Sequence, residues 1–181
     1  MSVRVSQLDV EAVTRITSAI SVEVDADLDD HWRISDRRVK TIARKVLRSM
    51  GYRKMTMANG MYRTAVLTPN RVFKIPTSAG SAVRMISEME FIRRLRRNPK
   101  YRRYIAETKV IYTDIGPAFV QARAPRVGSP PRGANHGTPY SLAHQMGIGD
   151  CHGQNYGWAV ENGEPYPVFF DLEFEDGVYT S

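Results

Sequence analysis

The chain has 181 residues, 42% of them apolar and 25% charged, enough to enclose one sizeable core and unlike the composition of a disordered chain. Its 26 Lys plus Arg exceed its 19 Asp plus Glu, and the net charge of +7 favours an anionic partner: nucleotide, nucleic acid or an acidic protein surface. A single cysteine, Cys151, excludes an intrachain disulfide and with it a disulfide-stapled secreted scaffold, and no apolar run reaches the roughly 18 residues of a membrane span, so a cytoplasmic protein without signal peptide is expected.

From Leu8 to about Ile20, Val10, Val13, Ile16 and Ile20 recur at helical spacing and predict a first helix. After an acidic segment around Asp25 to Asp30, a second amphipathic stretch carries Val39, Ile42, Ala43, Val46, Leu47 and Met50 on one face, with Ser35 or Asp36 as its cap and Gly51 as its end. These helices precede every residue with evident chemistry, so residues 1–52 read as a helical extension that packs or binds a partner.

The pattern turns extended between Lys54 and Pro76. Asn59-Gly60 and Thr68-Pro69-Asn70 punctuate three runs, predicting an antiparallel meander that ends in Arg71-Val72-Phe73-Lys74-Ile75. A helix opens at Gly80-Ser81 and runs to about Arg97, with Val83, Ile86, Met89, Ile92 and Leu95 as its apolar stripe and Asn98-Pro99 as its stop. Two more strands are expected at Lys109 to Tyr112 and Ala118 to Ala122, which closes a first lobe over residues 53–124. Four prolines and three glycines from Pro125 to Pro139 read as an exposed connector over 125–139. Residues 140–181 then hold a short helix near Tyr140 to Met146, a polar loop from Gly149 to Asn155 and a strand pair joined at Asn162-Gly163. The basic runs, Arg37 to Arg48 and Arg93 to Arg103, read first as solvated helix faces and second as a nucleic-acid surface.

Phosphoryl transfer from ATP needs a cation on the phosphates, metal held by carboxylate and amide oxygens, and a carboxylate beside the attacking hydroxyl. The order strand Lys74, helical Glu88, loop Asp150, Asn155 five residues later, and Asp171 ending the apolar run Val168-Phe169-Phe170 supplies each type. With this order and the loop Gly149-Asp150-Cys151-His152-Gly153-Gln154-Asn155, residues 58–174 resemble the protein-kinase-like superfamily, the loop being most similar to its aminoglycoside-phosphotransferase branch. The segments Asn59 to Ala65 and Pro69 to Lys74 are also similar to the early serine/threonine kinases of short-tailed bacteriophages.

The resemblance implies an α+β fold: a truncated bilobal kinase-like architecture with an antiparallel five-stranded N-lobe sheet, one packed helix and a much shortened C-lobe. It implies ATP with Mg2+ or Mn2+ as cofactors. Lys74 would hold the α- and β-phosphates and pair with Glu88, Gly60 would lie over the phosphates, Asp150 would take the acceptor proton, and His152 would steady the loop or touch the transferring phosphate. Asn155 and Asp171 would hold the metal. Glu90, two positions from Glu88, should face elsewhere, and Glu173 could add a second acidic group. A simple turn for Asp150 and Asn155, a solvated strand lysine for Lys74, a surface glutamate for Glu88 and a turn aspartate for Asp171 are the structural alternatives. His31, His136 and His144 lack metal-ligand spacing, and Cys151 has no activating base beyond His152.

Only ten residues follow Asp171, so no peptide platform of the usual kind is expected. Three activities stay open: a kinase of a host protein in the host cytoplasm, a small-molecule kinase, and a kinase-fold pseudoenzyme that binds and inhibits a partner.

Overall fold

The computed structural model describes residues 5–24, 31–59, 63–123, 126–127, 130–153 and 155–172. Helix α1 spans Gln7–Val24 and begins with a reciprocal cap: the Asp9 amide donates to Ser6 Oγ at 3.2 Å while the Ser6 amide donates to Asp9 Oδ2 at 2.7 Å. Helix α2 spans Asp36–Ser49. Of its two candidate caps Ser35 is the one used, its side chain accepting from the Arg38 amide, and Gly51 follows the helix at φ +89°, a backbone that favours glycine.

A five-stranded antiparallel sheet follows, formed by β1 (Thr56–Asn59), β2 (Arg63–Leu67), β3 (Arg71–Pro76), β4 (Thr108–Thr113) and β5 (Gly116–Ala122) in the order β1-β2-β3-β5-β4. Strand alternation splits its residues between two faces. Val66, Phe73, Ile75, Ala118 and Val120 pack with Ala12, Val13, Ile16 and Ile20 of α1 and Val39, Ala43 and Leu47 of α2 in one buried cluster. Each large apolar side chain buried there contributes roughly 1.5 to 3 kcal/mol. The two helices therefore cover one face of the sheet and complete its core, the packing role of the two expected of them. A patterned helix preceding the chemistry looks dispensable in sequence because the sheet face it covers lies far along the chain.

That assembly is one compact unit, residues 1–87 with 107–122; residues 88–106 with 123–181 form a second. This division differs from the expected boundaries, because the helix α3 (Ala79–Arg97) contributes its first part to one unit and its second part to the other. Its buried residues include Ala82, Met85, Met89, Phe91, Ile92 and Leu95, whereas Val83 and Ile86 are exposed. The predicted stripe was thus one step out of phase in its first two turns, where Ala82 and Met85 take the inner positions.

In the second unit a 3₁₀ turn at Arg102–Tyr104 and α4 (Thr138–Met146) accompany a three-stranded antiparallel sheet ordered β6-β7-β8, from Arg126–Val127, Tyr156–Glu161 and Glu164–Phe169. Asn162 and Gly163, at φ 52° and 83°, turn β7 into β8 as expected of an Asn-Gly hairpin. β6 pairs Arg126 with Trp158 and Val127 with Gly157, so the connector is not wholly irregular; two residues framed by prolines and glycines carry no periodicity from which a strand could be read. Among the described residues, no helix is long and apolar enough to cross a membrane.

Candidate functional site

The Gly149–Asn155 loop is fixed at both ends by local chemistry. Helix α4 stops at Gly147, in the left-handed conformation at φ 73°, and the Ile148 amide donates back to Ala143 O at 2.9 Å. Ile148 and Met146 are buried, which anchors the exit of the helix and sends Gly149 and Asp150 outward. At the other end β7 starts at Tyr156, directly after Asn155, with Tyr156 and Trp158 buried edge-to-face at 6.1 Å.

Asn155 ties this loop together. It is only 5% exposed, and its Nδ2 donates to the Asp150 carbonyl at 3.1 Å and to Asp150 Oδ2 at 3.2 Å. Its own amide donates to His152 O at 2.9 Å, closing the turn. Its carbonyl accepts from the amides of Phe170, at 3.1 Å, and Asp171, at 3.2 Å. One buried residue therefore sets the position of the Asp150 carboxylate through its side chain and the backbone of Asp171 through its carbonyl. With Nδ2 given to Asp150, Oδ1 is the Asn155 atom suited to a cation.

His152 Nε2 stands 3.3 Å from Asp150 Oδ2, both side chains about half exposed (52% and 45%), so the contact orients the carboxylate more than it stabilises the fold. It is an ion pair only while the imidazole is protonated. Burial, and then the charge of Asp150, push the Cys151 thiol above its ordinary value, which disfavours the thiolate a nucleophile needs.

Asp171 follows β8 at a half-buried position flanked by buried Phe170 and Leu172. The strand end is held by the parallel bridge from Ile105 to Phe169 and by the Ala106 amide, which donates to Phe169 O at 2.8 Å. Glu88, on the same unit's part of α3, is 2% exposed, whereas Glu90 faces solvent. Burial separates the two as their spacing predicts.

Lys74 belongs to the first unit. It sits in mid-β3 opposite Ala65 of β2 and Phe119 of β5, 1% exposed, while its neighbours Phe73 and Ile75 point to the α1–α2 core on the other face. A solvated strand lysine is excluded by that burial. An ammonium so buried persists only beside compensating charge or hydrogen bonds.

Gly60 and Glu173 lie outside the described residues, as do Met61, Tyr62 and Gln154. Among the described residues no group of three or more His, Cys, Asp or Glu side chains forms a metal cage, and Asn155 and Asp171 each carry side-chain oxygens. Hard oxygen donors of this kind suit magnesium, which keeps several waters and is completed by phosphate oxygens rather than by an all-protein cage. The role of the Asn155 carbonyl as a tie to Phe170 and Asp171 left no trace in the sequence, because backbone acceptors carry no residue signature. Neither a protein-family model nor a curated protein matches this sequence.

Proposed function

We propose that the protein is an ATP-dependent phosphotransferase of kinase-like type, acting on a hydroxyl of a host protein. The observation that carries this reading is Asn155, which positions the Asp150 carboxylate through its amide and the Asp171 backbone through its carbonyl. A surface turn does not require that a buried asparagine serve two distant carboxylate positions. The α+β architecture, with a buried lysine on the third strand of an antiparallel sheet and a buried glutamate on the following helix, supports the same reading.

In this scheme the exposed Asp150 carboxylate orients the acceptor hydroxyl and takes its proton, and His152 and Asn155 hold that carboxylate in place. Asn155 Oδ1 and the Asp171 carboxylate hold magnesium, which supplies charge neutralisation on the phosphates when bound. Lys74, on β3 of the first unit, is a buried cation of the type that phosphates require. A small-molecule acceptor is the second reading, favoured by the Asp150-Cys151-His152 loop, in which the histidine touches the carboxylate.

The test is incubation with labelled ATP and magnesium, with and without host lysate, for wild type, Asp150→Ala and Asp171→Ala. The expected result is label on a protein, reduced by about a hundredfold or more in both variants. Label confined to a metabolite selects the small-molecule reading. Transfer that is absent, or unaffected by either variant, contradicts the proposal.

A further inference from the structure

The second unit carries a cationic surface that the proposed reaction does not use. Arg93, Arg94, Arg97, Lys100, Arg102 and Arg103 are all exposed, within eleven consecutive residues at the end of α3 and in the 3₁₀ turn after it. The helix C-terminus favours cations in its last turn. That accounts for Arg94 and Arg97, but not for Lys100, Arg102 and Arg103 beyond the helix. Arg96 is different: its Nη1 donates to Ile105 O at 2.9 Å and braces the chain.

Aromatic rings are built into this surface. The Arg103 guanidinium lies over Tyr104 at 4.8 Å and over Tyr166 of β8 at 5.2 Å, and its Nη2 donates to the Tyr104 hydroxyl at 2.9 Å. The two tyrosines meet edge to face at 6.2 Å, and Lys100 Nζ lies over the Tyr101 ring at 5.1 Å. Tyr101 is itself fixed by its hydroxyl, which donates to Gln145 O at 3.3 Å. Glu161 approaches Arg103 at 3.9 Å, with both side chains more than half exposed, and Glu90 is exposed one turn before Arg94. The cations still outnumber these carboxylates.

We propose that this surface binds single-stranded nucleic acid, its arginines on the phosphates and the Arg103–Tyr104–Tyr166 cluster as a platform for bases. Arginine outnumbers lysine five to one among the six exposed cations, and its planar fork suits phosphate and stacks on bases where an ammonium does not. Single strands are held by aromatic rings against the bases together with a positive track along the phosphates, the combination this surface offers. The inference stands independently of the phosphotransferase reading.

The test is fluorescence anisotropy with a labelled poly(dT) strand of about 20 nucleotides, titrated with the full chain from about 50 to 200 mM salt. Wild type should bind with a steep salt dependence. The variant Arg97→Gln/Lys100→Gln/Arg102→Gln should lose roughly tenfold or more in affinity and about 2 units of log–log salt slope, while remaining folded. The variant Lys40→Gln/Lys45→Gln/Arg48→Gln removes the same charge from α2 and should leave binding close to wild type. Arg103→Lys, which keeps charge and loses stacking, should weaken binding about fivefold with little change in slope. Equal losses in the two triple variants would mean that net charge alone drives binding, and would overturn the proposal. So would unchanged affinity in Arg103→Lys, or tighter binding of a labelled poly-glutamate peptide than of the strand.

Discussion

Four donors converge on the carboxylate of Asp9: the Ser6 amide and hydroxyl and Arg71 Nε on Oδ2, and the Tyr52 hydroxyl on Oδ1, each at 2.7 Å. Burial alone would raise its pKa, but the bonds from Ser6, Arg71 and Tyr52 outweigh that and hold it below the ordinary 3.8. Burial and the Asp9 carboxylate push the Tyr52 hydroxyl the other way, well above its ordinary range. The ion pair from Asp9 to Arg71 joins the first turn of α1 to the first residue of β3, the strand that carries Lys74. A depressed folded-state pKa gives stability that is present above the unfolded value of about 4 and lost as pH falls through the folded value. Asp9→Asn should therefore cost about 3 kcal/mol at neutral pH. Urea unfolding midpoints should show the gap to wild type shrinking below about pH 4; a gap that holds constant or widens in acid contradicts this. The Ser6 contacts are local, but Tyr52 and Arg71 lie 43 and 62 residues from Asp9, so the ion pair has no signature in the sequence.

Among the elements, the hairpin from β4 to β5 depends on one glycine. Thr113 pairs with Gly116 across the two-residue turn Asp114-Ile115, and Thr113 Oγ1 donates to Gly116 O at 2.6 Å. Gly116 has φ 98°, and a Cβ there would meet the Ala82 Cβ of α3 at 2.5 Å. Gly116→Ala should thus destabilise by about 2 to 4 kcal/mol, from backbone strain and overpacking together. Adding Ala82→Gly should return the overpacking part and leave the strain, so the double variant should melt between wild type and the single variant. A single variant that melts with wild type would refute the close approach. The periodic elements were legible: α1, α2, α3 and the meander each follow from a repeat of apolar residues and a turn signal. β6 was not, because two residues carry no period, and the outer positions of Val83 and Ile86 were not, because α3 is apolar on more than one side near its start.

At the scale of the whole molecule, the candidate site was legible as an order of residue types rather than as a geometry. Asp150, His152 and Asn155 stand out in a seven-residue loop, and in the structure Asn155 hydrogen-bonds both the Asp150 carboxylate and the His152 carbonyl while the His152 imidazole lies 3.3 Å from that carboxylate. Burial distinguishes Glu88 from Glu90 and excludes a solvated Lys74, as alternation along helix and strand anticipates. What the sequence hid is long-range: the α1–α2 helices completing the sheet's core, and the Asn155 carbonyl holding the chain at Asp171. The measurement that bears most directly on the central claim is isothermal titration of the full chain with ATP, with and without magnesium. Wild type should bind in a magnesium-dependent way, and Asn155→Ala and Asp171→Ala should each weaken that binding by roughly tenfold or more while remaining folded. No binding at millimolar ATP and magnesium, or identical binding by wild type and both variants, would contradict the account.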